Sequence, residues 1–272
     1  MKFSYYTIIG KDVNMIKGHL NNVKFHAGFD RMDCDKELIV VVYKNKNISE
    51  QITEEILDIC SQNNARTVIY NEPTDNFLDN LYACWNLGYE ASEEGWVFRA
   101  GSDQAFNYDS FPKLYDIAMR TRKINPKVLL NTNTIEHSIR AMSRGNVSRH
   151  IIENFGDNFD TFDVESFENF CSEINKNVSE ELLTVDQSIK YWGKPTVFKS
   201  TLGDAHNRTE GCSWLITKED WRTYGPMDPV SFGWITGDCY LHDKLEIAGY
   251  KDYLTRDCIT YHFFRGESIQ RY

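Results

Sequence analysis

Strand and helix signals alternate four times over the first hundred residues, and this alternation constrains the fold more than any other feature of the chain. Residues 3–9, FSYYTII, form an apolar strand run closed by Gly10. Val13, Ile16, Leu20, Val23 and Phe25 then recur at roughly helical spacing. Leu38 to Tyr43, LIVVVY, is a continuous β-favouring run, as expected of a strand covered on both faces. Ser49 reads as an N-cap, and Ile52, Ile56, Leu57 and Cys60 give the helix after it one apolar face. Thr67 to Tyr70 is a third strand. Residues 76–90 are a helix with Phe77, Leu81, Cys84 and Trp85 turned inward, ending near Gly88. Trp96 to Arg99 is the fourth strand. The pattern predicts an α/β fold: a mostly parallel central sheet with right-handed crossovers, flanked by helices. No GxGxxG follows the first strand and no Walker-A sequence occurs, so the usual nucleotide fingerprints are missing.

The fourth strand runs into Ala100-Gly101-Ser102 and then delivers one carboxylate, Asp103. Open α/β sheets bind ligands at the carboxyl ends of their strands, which makes Asp103 a candidate. Further on, the spacing predicts a helix over 111–122, a short strand over 128–131, and helical stretches over 166–174 and 178–189 in a polar, Asn-rich region. A strand over 196–202, a polar loop over 206–210 and a strand over 211–217 follow. A short helix over 218–224 is stopped by Gly225-Pro226. A helix over 238–248 is closed by Gly249. A last strand over 259–264 carries His262. Asp103, Asp238 and His262 each lie at an element end. A carboxylate and an imidazole can hold a divalent cation, and a second carboxylate can act as a base.

Composition narrows the partners. The chain of 272 residues carries a formal charge of −10, which disfavours general nucleic-acid binding because that affinity comes from Lys and Arg releasing counterions. Its seven cysteines include no CxxC pair and read as free thiols of a reducing compartment. No secretory signal and no run long enough for a membrane span is visible, so a cytoplasmic location is expected.

Short motifs spread along the chain carry a resemblance. Gly101-Ser102-Asp103 stands where an Asp-x-Asp would end the fourth strand, and Asn86-Leu87-Gly88 matches an Asn-x-Gly in the preceding helix. Gly211-Cys212-Ser213-Trp214 and Gly225-Pro226-Met227-Asp228 match a glycine-containing strand and a "GGFDE"-like turn. Thr236-Gly237-Asp238 through Ala248-Gly249-Tyr250 matches a Glu-Asp pair heading a helix that ends in "AGY". His262 and Ser268 match a histidine on the final strand with a serine after it. Together, over most of residues 3–106 and 196–268, the chain resembles GT-A glycosyltransferases of the family-2 nucleotide-sugar type. The resemblance implies a single GT-A domain, with a nucleotide half over 1–106 and an acceptor half over 107–272. It implies Mn²⁺ or Mg²⁺ on Asp103 and His262, and Asp238 as the base of an inverting transfer. The donor, a UDP- or GDP-sugar, would meet Gly10, Tyr43, Asn86, Ser102, Asp103 and Gly211. The acceptor would be a hydroxyl on a glycan, a lipid-linked sugar or a small molecule.

Three departures stand out. Gly101 replaces the first metal-motif aspartate, Gly237 replaces the glutamate before Asp238, and Tyr43-Lys44-Asn45-Lys46 replaces an acidic loop. Tyr43 could stack on a base there, and Lys44 or Lys46 could meet phosphate. The absence of QxxRW argues against a processive polymerase. The alternatives are a transferase acting on modified bases in viral DNA, a nucleotidyltransferase-like enzyme, or a non-catalytic binding module that has lost its metal. At single positions the bland readings are structural: Asp103 in a turn, Asp238 as a helix-start acid, His262 in an aromatic core, and Trp214, Trp221 and Trp234 as packing. Arg99 and Arg265 are either structural or diphosphate partners, and His206, Asn207 and Arg208 belong to a solvated loop.

Overall fold

The computed structural model describes residues 1–44, 48–71, 77–139, 151–192, 197–199, 205–207, 213–227 and 237–263. The first half follows the alternation: β1 (Lys2–Ile9), α1 (Val13–Asn21), β2 (Lys36–Tyr43), α2 (Glu50–Gln62), β3 (Arg66–Tyr70), α3 (Phe77–Ala91) and β4 (Gly95–Arg99). Then come β5 (Gln104–Phe106), α4 (Ser110–Ile124), β6 (Val128–His137), β7 (Ile151–Glu153), α5 (Val164–Asn175), β8 (Leu182–Leu183), α6 (Val185–Trp192), β9 (Val197–Lys199), β10 (Ala205–Asn207), β11 (Trp214–Thr217), α7 (Lys218–Tyr224), α8 (Gly237–Ile247) and β12 (Lys251–His262).

The main sheet has the order β3-β2-β1-β4-β11-β6-β12-β5. Its first four strands are parallel, as expected. From there it is mixed: β11 runs antiparallel to both β4 and β6, β12 is parallel to β6, and β5 is antiparallel to β12. One sheet thus spans both halves of the chain.

Residue alternation makes the layers. Along β2, Leu38, Val40 and Val42 join the core under α1, α2 and α4, while Ile39, Val41 and Tyr43 join the core under α3, α7 and α8. Each such side chain contributes about 1.5–3 kcal/mol by leaving water. Ser49 caps α2 by accepting from the Ile52 amide. Among the described residues no helix is long and apolar enough to cross a membrane, and Cys34, Cys60, Cys84, Cys171 and Cys258 are free. Burial pushes the Cys60 and Cys258 thiols up to about 12, so they are poor nucleophiles.

Several expectations are corrected. α3 spans Phe77–Ala91, within one residue of the expected 76–90, but Gly88 lies inside it rather than closing it. A Cβ at Gly88 would lie 2.2 Å from the Tyr6 ring, so this glycine admits a neighbouring aromatic rather than ending a helix. The strand expected over 128–131 continues to His137, because its Asn, Thr and Glu side chains are buried rather than solvated. Residues 178–189 are not one helix; they hold β8 and the start of α6. The loop expected from 206 contributes Ala205–Asn207 to a hairpin with Val197–Lys199. The final strand begins at Lys251, eight residues earlier than its apolar end suggests.

α3 ends on a buried cation. The Lys218 ammonium donates to the carbonyls of Tyr89, Glu90 and Ser92, where the helix runs out of amides to pair its last carbonyls in full. Burial lowers the lysine's pKa, the largest influence on it. Lys218→Met is expected to destabilise the fold by about 1–3 kcal/mol by stranding these carbonyls, measured by urea unfolding.

Candidate active site

The loop after β4 is held on both sides of Asp103. The Ala100 amide donates to Tyr6 O at 3.2 Å, extending the β1–β4 ladder by one rung. The Gly101 amide donates to Gln104 Oε1 at 2.9 Å, and the same oxygen accepts from Ser213 Oγ at 2.6 Å. The Phe263 amide donates to Asp103 O at 2.9 Å. β5 is fixed from both sides, by β12 and by Asn22, whose amide bonds both backbone groups of Phe106 at 2.8 and 3.1 Å.

Sheet register then supplies the convergence. His262 stands opposite Gln104 in the β12–β5 ladder and opposite Glu136 in the β12–β6 ladder. Its Nε2 lies 3.3 Å from Asp103 Oδ2 and its Nδ1 lies 3.0 Å from Glu136 Oε1. The three side chains are nearly sealed, 4% exposed for His262, 6% for Asp103 and 0% for Glu136. Asp103 and His262 therefore meet, as the sequence suggested. Glu136 was missed. Its signal is the period-two stripe Thr132, Thr134, Glu136 on β6, whose threonines bond Thr260 at 3.2 and 3.1 Å. Gln104, the residue that ties the Gly101 amide to Ser213, was missed as well.

Gly101 has a local reason. A Cβ there would lie 2.5 Å from Asp103 Oδ1, so any side chain at 101 would have to displace the Asp103 carboxylate. Among the described residues no three His, Cys, Asp or Glu side chains face one point that a metal could occupy. Asp103 lies at the Nε2 edge of the His262 ring and Glu136 at the Nδ1 edge.

The other sequence candidates fall as follows. Gly10 and Ser102 are buried at the strand ends. Tyr43 closes β2, stacks on Tyr70 at 5.9 Å and 20°, and its hydroxyl accepts from Asn80 at 3.0 Å. Asn86 is turned to a backbone: it donates to Met227 O at 2.9 Å and accepts from the Met227 amide at 2.8 Å. Its amide thus holds Met227, the residue after the cis Gly225-Pro226 bond. Lys44 lies 3.9 Å from Glu50. Arg99 is buried, with its guanidinium 4.7 Å from the Trp85 ring and 4.7 Å from the Trp214 ring. Trp214 and Trp221 are core residues. Asp238 is the second residue of α8, and its side chain lies outside the described residues. Lys46, Arg208, Gly211, Cys212, Asp228, Trp234, Thr236, Arg265 and Ser268 lie outside them entirely.

No protein-family model matches the chain. No curated protein matches it either. Solved structures do. Residues 1–349 of S. aureus TarS superpose with a TM-score of 0.54 at 14% identity, over 97% of this chain and 60% of that one. GalNAc-T7, solved with UDP, GalNAc and Mn²⁺, gives 0.56 at 9% identity, over 100% and 45%. A mannosyltransferase from Pyrobaculum calidifontis, solved with GDP-Man and Mn²⁺, gives 0.52 at 12% identity, over 95% and 56%. The fold is GT-A. The chain spans about half the length of the solved chains it matches. Within this GT-A fold, Asp103 and His262 occupy strand ends of the central sheet, and α8 begins with the residues that carry Asp238.

Proposed function

We propose that the chain is a glycosyltransferase that moves one sugar from a UDP- or GDP-sugar to a hydroxyl acceptor, assisted by Mn²⁺ or Mg²⁺. The observation that carries this reading is the meeting of Asp103 and His262 at 3.3 Å on a GT-A sheet. The donor set suits such a cation. With Nδ1–H given to Glu136, the Nε2 lone pair and a carboxylate oxygen face each other, two groups that repel unless a proton or a cation lies between them. An oxygen and an imidazole nitrogen are ordinary ligands of manganese. Two protein ligands leave the remaining positions to water and the donor's own diphosphate, in keeping with Gly101.

When bound, the cation acts as a Lewis acid on the departing diphosphate. Asp103 and His262 would hold that cation and, through it, the diphosphate end of the donor. Asp238, at the start of α8, takes the proton of the attacking acceptor hydroxyl. Displacement from the face opposite the leaving group inverts the anomeric centre. Tyr43, Gly10 and Ser102 form the donor side, with acceptor contacts supplied by the second half of the chain.

The test is calorimetric titration of UDP and GDP into the full chain, with and without manganese. The expected result is manganese-dependent binding of one of them, weakened by about tenfold or more in Asp103→Ala. An Asp103→Ala titration that matches the wild type would overturn the assignment.

A further inference from the structure

Glu136 has no place in the chemistry given so far, yet it is the most deeply buried acid of the cluster. It is fully inaccessible and opposes His262 in the β6–β12 ladder, with Oε1 at 3.0 Å from Nδ1. A carboxylate beside an imidazole favours the proton on the nitrogen that faces it, and it fixes the plane of the ring. Both nitrogens face a carboxylate here, and the contact of Nδ1 with Glu136, 3.0 Å, is shorter than that of Nε2 with Asp103, 3.3 Å. The backbone contributes to the same end. β6 and β12 are adjacent parallel strands, so the spacing between Glu136 and His262 is set by the ladder and not by a loop. The register jumps between Thr255 and Ile259, and the rungs from Ile259 to His262 are regular again. Asn107 holds this restart, exchanging bonds with both backbone groups of Ile259 at 2.8 and 3.1 Å.

We propose that Glu136 is a positioning residue: it holds His262 as the Nδ1–H tautomer and so presents the Nε2 lone pair, beside Asp103, to the cation that would bind the donor's diphosphate. The metal half of this statement rests on the proposed function; the tautomer half does not. Carboxylates that orient a ligating histidine typically change metal affinity by about 10- to 100-fold when removed. Glu136→Leu removes the acceptor at similar volume. Glu136→Gln keeps an oxygen that can accept from Nδ1.

Two measurements on the full chain test it. The first is the long-range ¹H–¹⁵N correlation spectrum of the neutral His262 ring in metal-free protein. Wild type is expected to carry the proton on Nδ1, Glu136→Leu to move it to Nε2, and Glu136→Gln to restore Nδ1. A wild-type ring protonated on Nε2 overturns the proposal with no variant needed. The second is manganese titration followed by electron paramagnetic resonance with UDP or GDP present. Glu136→Leu is expected to bind manganese about 10- to 100-fold more weakly, with Glu136→Gln recovering most of the loss. A merely structural glutamate would leave the tautomer in place and the two variants alike, and that result overturns the role. A wild-type protein that takes up no manganese ends the cation site, and the spectrum then decides the positioning role by itself.

Discussion

Asp238→Asn is expected to slow sugar transfer by about 10²- to 10⁴-fold while leaving nucleotide binding in manganese close to the wild-type value. The two side chains have nearly the same shape, but an amide cannot accept the proton of an attacking hydroxyl. The competing role for Asp238 is electrostatic support of a helix. It is the second residue of α8, where an acid faces the positive end of the helix dipole. That support is worth about 0.3–1 kcal/mol and goes with the charge in asparagine, a loss too small to unfold the chain. The two roles therefore separate in a pair of measurements. Loss of turnover with the fold and nucleotide affinity preserved identifies the base. Full turnover in the variant removes it and the inverting mechanism with it.

The parts of the fold that were legible in the sequence are those whose physics is local. LIVVVY announces a strand buried on both faces, and Leu38 to Tyr43 serves two cores in alternation. Ser49 and Gly249 mark helix ends where the backbone needs a cap or a positive φ, +89° at Gly249. What was not legible depends on neighbours far along the chain. β6 reads as a strand only as far as Asn131, because Thr132, Asn133, Thr134 and Glu136 are polar. They are buried because β12 lies along one side of β6, while on the other β11 pairs Leu130 and Asn131 and β7 pairs Ile135 to His137. Gly88 looks like a helix stop until the Tyr6 ring is placed against it. Asn86 sits in a motif that suggests a ligand, and its amide turns to the backbone of Met227. In the site, Asp103 and His262 were visible as acids and imidazoles at element ends. Glu136 and Gln104 were not, since each matters only through the register that seats it opposite His262.

Trp214→Ala is expected to destabilise the protein by about 3–5 kcal/mol, the range for deleting a fully buried aromatic side chain. Trp214 is wholly inaccessible on β11, the strand that joins the two halves of the sheet. Its ring stacks on His242 at 5.6 Å and 7°, fixing α8 against the sheet. The Arg99 guanidinium lies 4.7 Å from the same ring, and Trp214 is paired with Arg99 in the β11–β4 ladder. Removing the indole opens a cavity and also takes an aromatic face from a buried cation, a contact worth up to about 2 kcal/mol when desolvated. The cost should therefore fall at the upper end of the range. Trp214→Phe keeps a ring in place and should recover more than half of the loss. Urea unfolding gives both values, and a Trp214→Ala cost below about 1 kcal/mol would show that the indole does not wedge the two halves together. The same substitution reaches the site by a short route: Arg99 ends β4, and the loop to Asp103 begins at the next residue. Loosening Arg99 should thus weaken manganese-dependent nucleotide binding even where the variant remains folded, whereas Lys218→Met, at the far end of α3, should lower stability and leave that binding unchanged.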